Sequence, residues 1–488
     1  MKNKFSFSVL LFISAVVIFI DFSRTPEGLL SWDQFGYYLY LPLTFIYHDL
    51  GIKDFSVIDA LIHKYQPITD FYQGIQLQDG SYVLRYTAGL SVLYSPAFFA
   101  GHLGAWLFGY PMDGFSAPYQ YAILGWSIFF LIVGLQHLRL ILLHYFSDKL
   151  SAFLLLVIFF GTNFLVMSGH DGILLVNTYL FTLFSIMLWH TIKWHERHSF
   201  RSAIIIGLTL GLSILTRPVD LIFVMVPVLW GIKNIRGFGQ KMISLFTIYK
   251  WHTILMILIL LCISGLQLLY WKNRTGEFFY DSYGANAGEG FDFATPYTLK
   301  FLFSYRKGWL LYTPVMVFSL AGFFVLYKKK REIFFSTVFF FCVFLFLVSS
   351  WTYWWYATCY SQRTMLEIYS LLAIPLGFFV EWSSDKKQIV PAIMILLTGL
   401  NLFQSWQYKK GILDGERMSE EYYKAIFLKT EKPENAEDVM LVNRDENSFL
   451  DETKHTKKEL LNANFVKEAK AVQRISLKDT IMNFFQPA

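Results

Sequence analysis

Apolar runs close to the roughly 20 residues that a helix needs to cross a hydrocarbon core recur along the chain, separated by short polar or basic loops. The first runs from Phe5 to Ile20. Later ones cover Gln120 to Leu143, Leu150 to Met167, Ile173 to Ile192, Ser202 to Leu215, Leu221 to Ile232 and Ile254 to Tyr270. Four more follow: Trp309 to Tyr327, Ile333 to Ser350, Leu366 to Val380 and Val390 to Trp406. This pattern predicts an all-α membrane protein of about 11 transmembrane helices. Neither a heptad nor a repeat of fixed period is visible, nor an inverted hydropathy repeat of the transporter kind.

One further run, Leu90 to Phe108, decides the orientation of everything after it. If it does not cross, four basic clusters fall together on the cytoplasmic side: Lys193/Arg197/Arg201, Lys233/Arg236/Lys241, Lys328 to Arg331, and Lys386/Lys387. If it crosses, all four face outward. The run holds Gly89, Pro96, Gly101, His102 and Gly104 at its edge and within it, and is expected as one or two helices in the outer interface. Lys409 and Lys410 then follow the last span on the outside, against the same rule. At the N-terminus, Lys2 and Lys4 precede an apolar stretch with no small-x-small cleavage site, which predicts an uncleaved signal anchor with a cytoplasmic N-terminus.

The expected organisation is a membrane domain over 1–406 with two large outer loops, 21–119 and 272–307, and a soluble C-terminal segment over 407–488. A loop as long as the first is far beyond ordinary connections and is expected to carry function.

Composition agrees with the membrane reading and narrows the function. The 488 residues are 55% hydrophobic and only 16% charged, too apolar for an ordinary soluble globule. The net charge of +6 raises nucleic-acid binding as an option, but no basic stripe is interleaved with base-stacking aromatics, so no nucleic-acid partner is expected. Three cysteines, Cys262, Cys342 and Cys359, offer neither a disulfide framework nor a CxxC metal site.

The candidate chemistry gathers in the outer loops. Asp33, in Trp32-Asp-Gln-Phe-Gly-Tyr-Tyr38, lies just beyond the first span, where a carboxylate can meet a bilayer-dissolved substrate and accept a proton from a hydroxyl nucleophile. The same residues also suit an aromatic belt with a solvated acid. His170 and Asp171, between two glycines at an outer turn, offer an imidazole and a second acid, or an ordinary polar turn. Arg217, in Thr216-Arg-Pro218, and Arg363, in the last outer loop, have guanidinium forks that suit a phosphate. Either can instead snorkel to headgroups, and Arg363 can pair with Glu367 at i,i+4. Arg306 and Lys307 close the second large loop and offer positive charge beside the bilayer, or an interfacial pair in a plain structural loop. Trp351 to Tyr356 is an aromatic belt or a binding platform.

Taken in order, several short motifs resemble the GT-C class of polytopic glycosyltransferases. These are WDxxGYYxYLP at the start of the first outer loop, Arg85-Tyr-Thr-Ala-Gly-Leu90 with Tyr94-Ser-Pro96, and the hairpin ending Thr216-Arg-Pro218. The Gly290-Phe-Asp-Phe293 and Lys307-Gly-x-x-x-Tyr-x-Pro314 loop and the late Arg363 complete the set. The likeness is to the protein mannosyltransferase and aminoarabinose transferase type and extends over the apolar part of the chain, not its C-terminal segment. It implies a polyprenyl-phosphate sugar donor, membrane lipids as surroundings, and a lipid, glycan or protein acceptor. It further implies an outward-facing cavity, in a bacterial inner membrane, with Asp33 as the catalytic carboxylate. Arg363, Arg217, Arg306 and Lys307 would serve the phosphate, with His170, Asp171 and Tyr37 beside the substrate. In this sequence Gln34 and Phe35 follow Asp33, so the DxD pair of metal-dependent members is missing and no cofactor is assigned.

The expected reaction is displacement of a lipid phosphate at the anomeric carbon of a hexosyl or pentosyl donor, with inversion. Nucleotide sugars are cytoplasmic, so transfer on the outer face needs a lipid-borne donor whose departing phosphate cations can stabilise. Two rivals stand beside it: a transporter or flippase of lipid-linked glycans, which calls for ionisable groups in mid-span and broken paired helices, and a polymerase or ligase joining whole lipid-linked glycans.

Overall fold

The computed structural model describes residues 3–26, 28–170, 172–283, 289–383, 389–442 and 456. Within them, six helices are long and apolar enough to cross a membrane: Lys4–Phe22 (α1), Ala117–Tyr145, Lys250–Thr275, Arg331–Ser349, Arg363–Ser383 and Ile389–Lys409. Large apolar side chains on these helices face outward, Phe19 at 76% and Leu396 at 73% exposed. A surface of that kind belongs in lipid, and the chain is an integral membrane protein.

The first loop is built from short pieces: α2 (Asp33–Tyr38), α3 (Tyr40–Phe45), α4 (Ser56–Tyr65), a hairpin of β1 (Gly74–Gln76) and β2 (Tyr82–Leu84), and α5 (Gly89–Phe108). The antiparallel hairpin pairs Gly74 with Leu84 and Gln76 with Tyr82. No sequence expectation covered this hairpin. Its turn residues, Asp79 and Gly80, carry the usual signal. The ambiguous run is a single helix, α5. Its first turn lies on Thr216 and its later turns on Pro118 and Tyr119.

The bundle continues with α6 (Ala117–Tyr145), α7 (Asp148–Phe160), α8 (Phe164–Met167), α9 (Val176–Glu196) and α10 (Phe200–Thr216). Next come α11 (Met225–Leu229), α12 (Ile235–Phe246), α13 (Lys250–Thr275), α14 (Thr298–Phe303), α15 (Trp309–Tyr312), α16 (Val317–Lys329) and α17 (Arg331–Ser349). A 3-10 turn, Arg363–Ile368, leads into α18 (Tyr369–Ser383), followed by α19 (Ile389–Lys409).

Three expected spans are broken, which accounts for part of the difference between six and about 11; α9 and α10 are unbroken but also fall outside the six. Gly161 separates α7 from α8, Pro218 opens a 3-10 turn before α11, and Thr313-Pro314 divides α15 from α16. Proline lacks an amide donor, and its ring disfavours a continuous α-helix across it.

Tight packing follows from small residues. Gly207 and Gly211 seat α10 against Met256 and Ile263 of α13, and Gly322 seats α16 on the backbone of Pro375 in α18. Beyond α19, residues up to Leu441 fold into α20 (Glu420–Ile426) and α21 (Ala436–Val439), with a small core in which Ile412, Met418, Tyr422 and Val439 surround Tyr312 and Tyr360. The C-terminal segment therefore packs onto the membrane domain through its first part.

Candidate active site

Asp33 is the first residue of α2, and the backbone before it is unusual. Trp32 sits at a φ of 54°, a region that L side chains rarely adopt. Two bonds hold it there: its N–H donates to the Pro67 carbonyl at 3.1 Å, and the Gln73 side-chain amide donates to its carbonyl at 3.0 Å. One turn later stands Gly36, where a Cβ would overlap the Tyr86 ring. The missing side chain lets Tyr86 lie over α2 and reach the carboxylate.

The Tyr86 hydroxyl donates to Asp33 Oδ1 at 2.7 Å and the Tyr72 hydroxyl to the same atom at 3.1 Å. Burial raises both phenols above their ordinary value, and the Asp33 charge raises them further. They stay protonated and keep donating.

Asp33 Oδ2 faces a cation. Arg363 Nη2 lies 4.0 Å away, with the Arg363 side chain 16% and the Asp33 side chain 36% exposed. The guanidinium donates no hydrogen bond to any described residue, so its fork is available to a ligand beside the acid. Tyr37 completes this wall. Its ring lies 4.4 Å from that of Tyr86, and burial, followed by Tyr283 and the Asp33 charge, raises its phenol.

Arg217 lies close by but is occupied. Its Nε donates to Asp220 at 3.1 Å, Nη1 to Glu367 at 2.9 Å, and Nη2 to both carboxylates. Glu367 also accepts from the Asn177 side-chain amide at 2.5 Å. The i,i+4 option for Arg363 thus gives way to a longer-range pair: Glu367 is taken by Arg217 and Asn177, and Arg363 turns to Asp33. The Arg217 knot is a strut under the site, and most of its donors are already used.

Arg306 and Lys307 are engaged with backbone carbonyls. The Arg306 guanidinium lies 3.7 Å from the centre of the Trp355 ring and donates to the Glu416 carbonyl at 2.8 Å. Lys307 is fully buried and donates to the carbonyls of Tyr356 and Gly415, each at 2.8 Å, and of Cys359. Burial pushes its ammonium down to about 8. His170 lies in the turn where the Gly172 and Ile173 amides donate to the Gly169 carbonyl. Asp171 lies outside the described residues.

Sequence reasoning missed the residues that hold Asp33. Tyr86 stands in the Arg85-Tyr-Thr-Ala-Gly-Leu90 motif, so a signal was present, whereas Tyr72 had none. Arg85 lies 5.9 Å from the Tyr72 ring centre and 6.0 Å from that of Tyr283, and its carbonyl accepts from the Ser282 hydroxyl at 2.7 Å. It ties the loop between α1 and α6 to the segment that follows α13.

The segment just before Arg363 is strained. Tyr356, Thr358, Cys359 and Ser361 have positive φ values of 40°, 59°, 99° and 60°. Such conformations cost on the order of 1–3 kcal/mol each and cluster at functional sites. Among the described residues no group of three His, Cys, Asp or Glu is placed to hold a metal. The other carboxylates of the cluster, Asp220 and Glu367, are bound by Arg217.

No family model matches the chain, and no curated protein matches it. Among solved structures it is similar to the archaeal oligosaccharyltransferase AglB from Archaeoglobus fulgidus in complex with an inhibitory peptide and a dolichol-phosphate, at 13% identity and a TM-score of 0.46. That match covers 91% of this chain and 62% of the other, so this chain spans about three fifths of its length. It is also similar to ArnT from Cupriavidus metallidurans bound to undecaprenyl phosphate, at 14% identity and a TM-score of 0.47, over 86% of this chain and 68% of that one. A third likeness, to the apo form of the Archaeoglobus fulgidus oligosaccharyltransferase, has 14% identity and a TM-score of 0.40, over 83% of this chain and 54% of that one. At these TM-scores the likenesses carry no argument about chemistry, which rests on the side chains described above.

Proposed function

We propose that this protein is a glycosyltransferase that moves a sugar from a polyprenyl-phosphate-linked donor to a lipid, glycan or protein acceptor, with Asp33 as the catalytic carboxylate. One observation carries the reading. Asp33 is held through one oxygen by two phenols, while its other oxygen faces Arg363, whose guanidinium is free of hydrogen bonds to described residues.

In this reading the donor enters between the two side chains. Asp33 Oδ2 accepts the proton of the acceptor hydroxyl as its oxygen attacks the anomeric carbon. The bond from that carbon to the phosphate oxygen breaks, its electron pair leaves with the polyprenyl phosphate, and the Arg363 fork neutralises the charge. Attack opposite the leaving group inverts the anomeric centre. Tyr72 and Tyr86 keep Oδ1 occupied, so the carboxylate presents its other oxygen.

Sidedness is part of the proposal. Lys193 lies in the last turn of α9, Lys241 in α12 against His195 of that same turn, and Lys328 to Arg331 at the junction of α16 and α17; the positive-inside rule assigns such clusters to the cytoplasm, which would leave the site outside. A transporter reading would rest on the buried Arg217–Asp220–Glu367 knot, but that knot is internally paired and sits beside Asp33 rather than in mid-span.

The test is purified protein in lipid nanodiscs with a panel of labelled polyprenyl-phosphate sugars and a membrane extract as acceptor. One donor should be consumed with release of polyprenyl phosphate. Consumption of none, by a protein that remains folded, would overturn the assignment, and transfer of whole oligomers would select the polymerase or ligase alternative.

A further inference from the structure

The C-terminal segment that follows α19 is bound to the site by buried cations. Lys307 grips two chain segments at once through three carbonyls, donating to Tyr356 and Cys359 of the strained loop and to Gly415 beyond α19. Arg306 adds a second tie, stacked on Trp355 of the same loop and donating to the Glu416 carbonyl. The Asp414 carboxylate receives the amides of Glu416 and Arg417, at 2.7 and 2.8 Å, and so holds the Gly415 turn in shape. Farther along, Arg417 donates to the Leu441 carbonyl at 2.8 Å and Tyr422 to that of Ile412 at 2.6 Å, so the arm is internally braced.

Only Gln362 separates the positive-φ run ending at Ser361 from Arg363. Non-glycine residues hold such conformations only where the surroundings over-determine them. Here those surroundings include Lys307, the Cys359 amide bond to the Tyr408 hydroxyl, 3.0 Å long at the end of α19, the Asn163 side-chain amide on the Gln362 carbonyl at 3.3 Å, and the Tyr360 hydroxyl, which donates to Asn401 and lies 2.9 Å from the Ser405 hydroxyl.

We infer that the segment 411–441 is a positioning element of the catalytic site, acting through Lys307 to help fix the 356–362 loop and thereby the place of Arg363 opposite Asp33. An ammonium suits this role because its three N–H groups match three carbonyls, and a neutral amine has only two. Lys307 and Arg306 are thus positioning residues rather than phosphate ligands. The inference rests on the proposed glycosyl transfer for its purpose, but not for the coupling itself.

The experiment uses the full chain in nanodiscs and reads backbone hydrogen exchange together with binding of a polyprenyl monophosphate. Lys307→Met should speed exchange in both 356–362 and 411–417 by at least tenfold, leave α9 unchanged, and weaken polyprenyl monophosphate binding about tenfold. Faster exchange confined to 411–417 with binding unchanged would overturn the positioning role.

Should that variant fail to fold, the wild type supplies a second measurement. Raising the pH from 7 to 9.5 discharges Lys307, and the two segments should loosen together once intrinsic exchange rates are corrected. Cys359, Glu416, Arg363 and Arg306 also face the ammonium, and burial holds the Cys359 thiol up at about 11, neutral across this range. No joint loosening would sink the inference. If the wild type binds no polyprenyl monophosphate, the glycosyl-transfer reading falls while joint loosening of the two segments still upholds the coupling.

Discussion

Gly89 lies so close to Thr216 that a Cβ on the glycine would overlap the threonine's backbone nitrogen. The Thr87 hydroxyl, two residues earlier, donates to the Thr216 carbonyl at 2.7 Å, so the start of α5 is fastened to the end of α10 one residue before Arg217. Alanine in a helix ordinarily gains up to about 1 kcal/mol over glycine, but overpacking costs about 1–3 kcal/mol. The clash is with backbone, which cannot swing aside, and should win. Gly89→Ala is therefore expected to lower the thermal unfolding midpoint and reduce transfer, because it displaces the Arg217 strut. A variant as stable as wild type would show that the close approach is not needed.

Asp33→Asn tests the acid with little structural disturbance. The amide is nearly isosteric, and its oxygen can still accept from Tyr72 and Tyr86. Stability should change by less than about 1 kcal/mol at so accessible a side chain. Transfer should fall by about 10²–10⁴, the usual range for losing a general base. Turnover within threefold of wild type would remove Asp33 from the chemistry.

Arg363 should matter for the donor more than for the fold. Replacing it by glutamine removes a charge-assisted bond worth about 1.5–3 kcal/mol. Donor kcat/KM is expected to drop in proportion, about tenfold to a hundredfold. Arg363→Lys keeps the charge without the planar fork and should fall between. Equal activity of the glutamine and wild-type proteins would place the phosphate elsewhere.

Where the sequence was legible, one physical rule sufficed. Apolar runs marked most helices because lipid imposes one requirement on every span, and Asp33 stood out because a carboxylate is rare in such company. Arg217 shows where that reasoning ends. A guanidinium at a helix end is the same letter whether it awaits a phosphate or is already bound by Glu367, which lies 150 positions away. Arg306 and Lys307 repeat the lesson, since their carbonyl acceptors are backbone atoms that no residue type announces. Tyr72 was invisible for a related reason: a short hairpin carries the chain from it to Tyr86, and only the fold shows both phenols on one oxygen.

The loop between α1 and α6 should also carry an acid-sensitive latch at Asp113. Lys64 and Tyr65 donate to its Oδ2 at 2.8 and 2.5 Å, and the amides of Phe115 and Ser116 donate to Oδ1, each at 3.0 Å. Burial alone would raise this carboxyl, but the bonds from Lys64, Tyr65 and the Phe115 amide outweigh it and hold it below the ordinary value. A carboxyl depressed in the folded state adds stability that is fully present above its unfolded value, near 4, and is lost as the pH falls through the folded value. The bonds join α4 to the start of α6, so the effect should be local. Hydrogen exchange over α4 and residues 109–116 should be slow at pH 7 and rise on titration from pH 5 to pH 2, ahead of α9. In Asp113→Asn the same residues should exchange quickly at pH 7 and lose that acid step. Should the step survive in the variant, another carboxylate of the loop controls it, and Asp113 is not the latch.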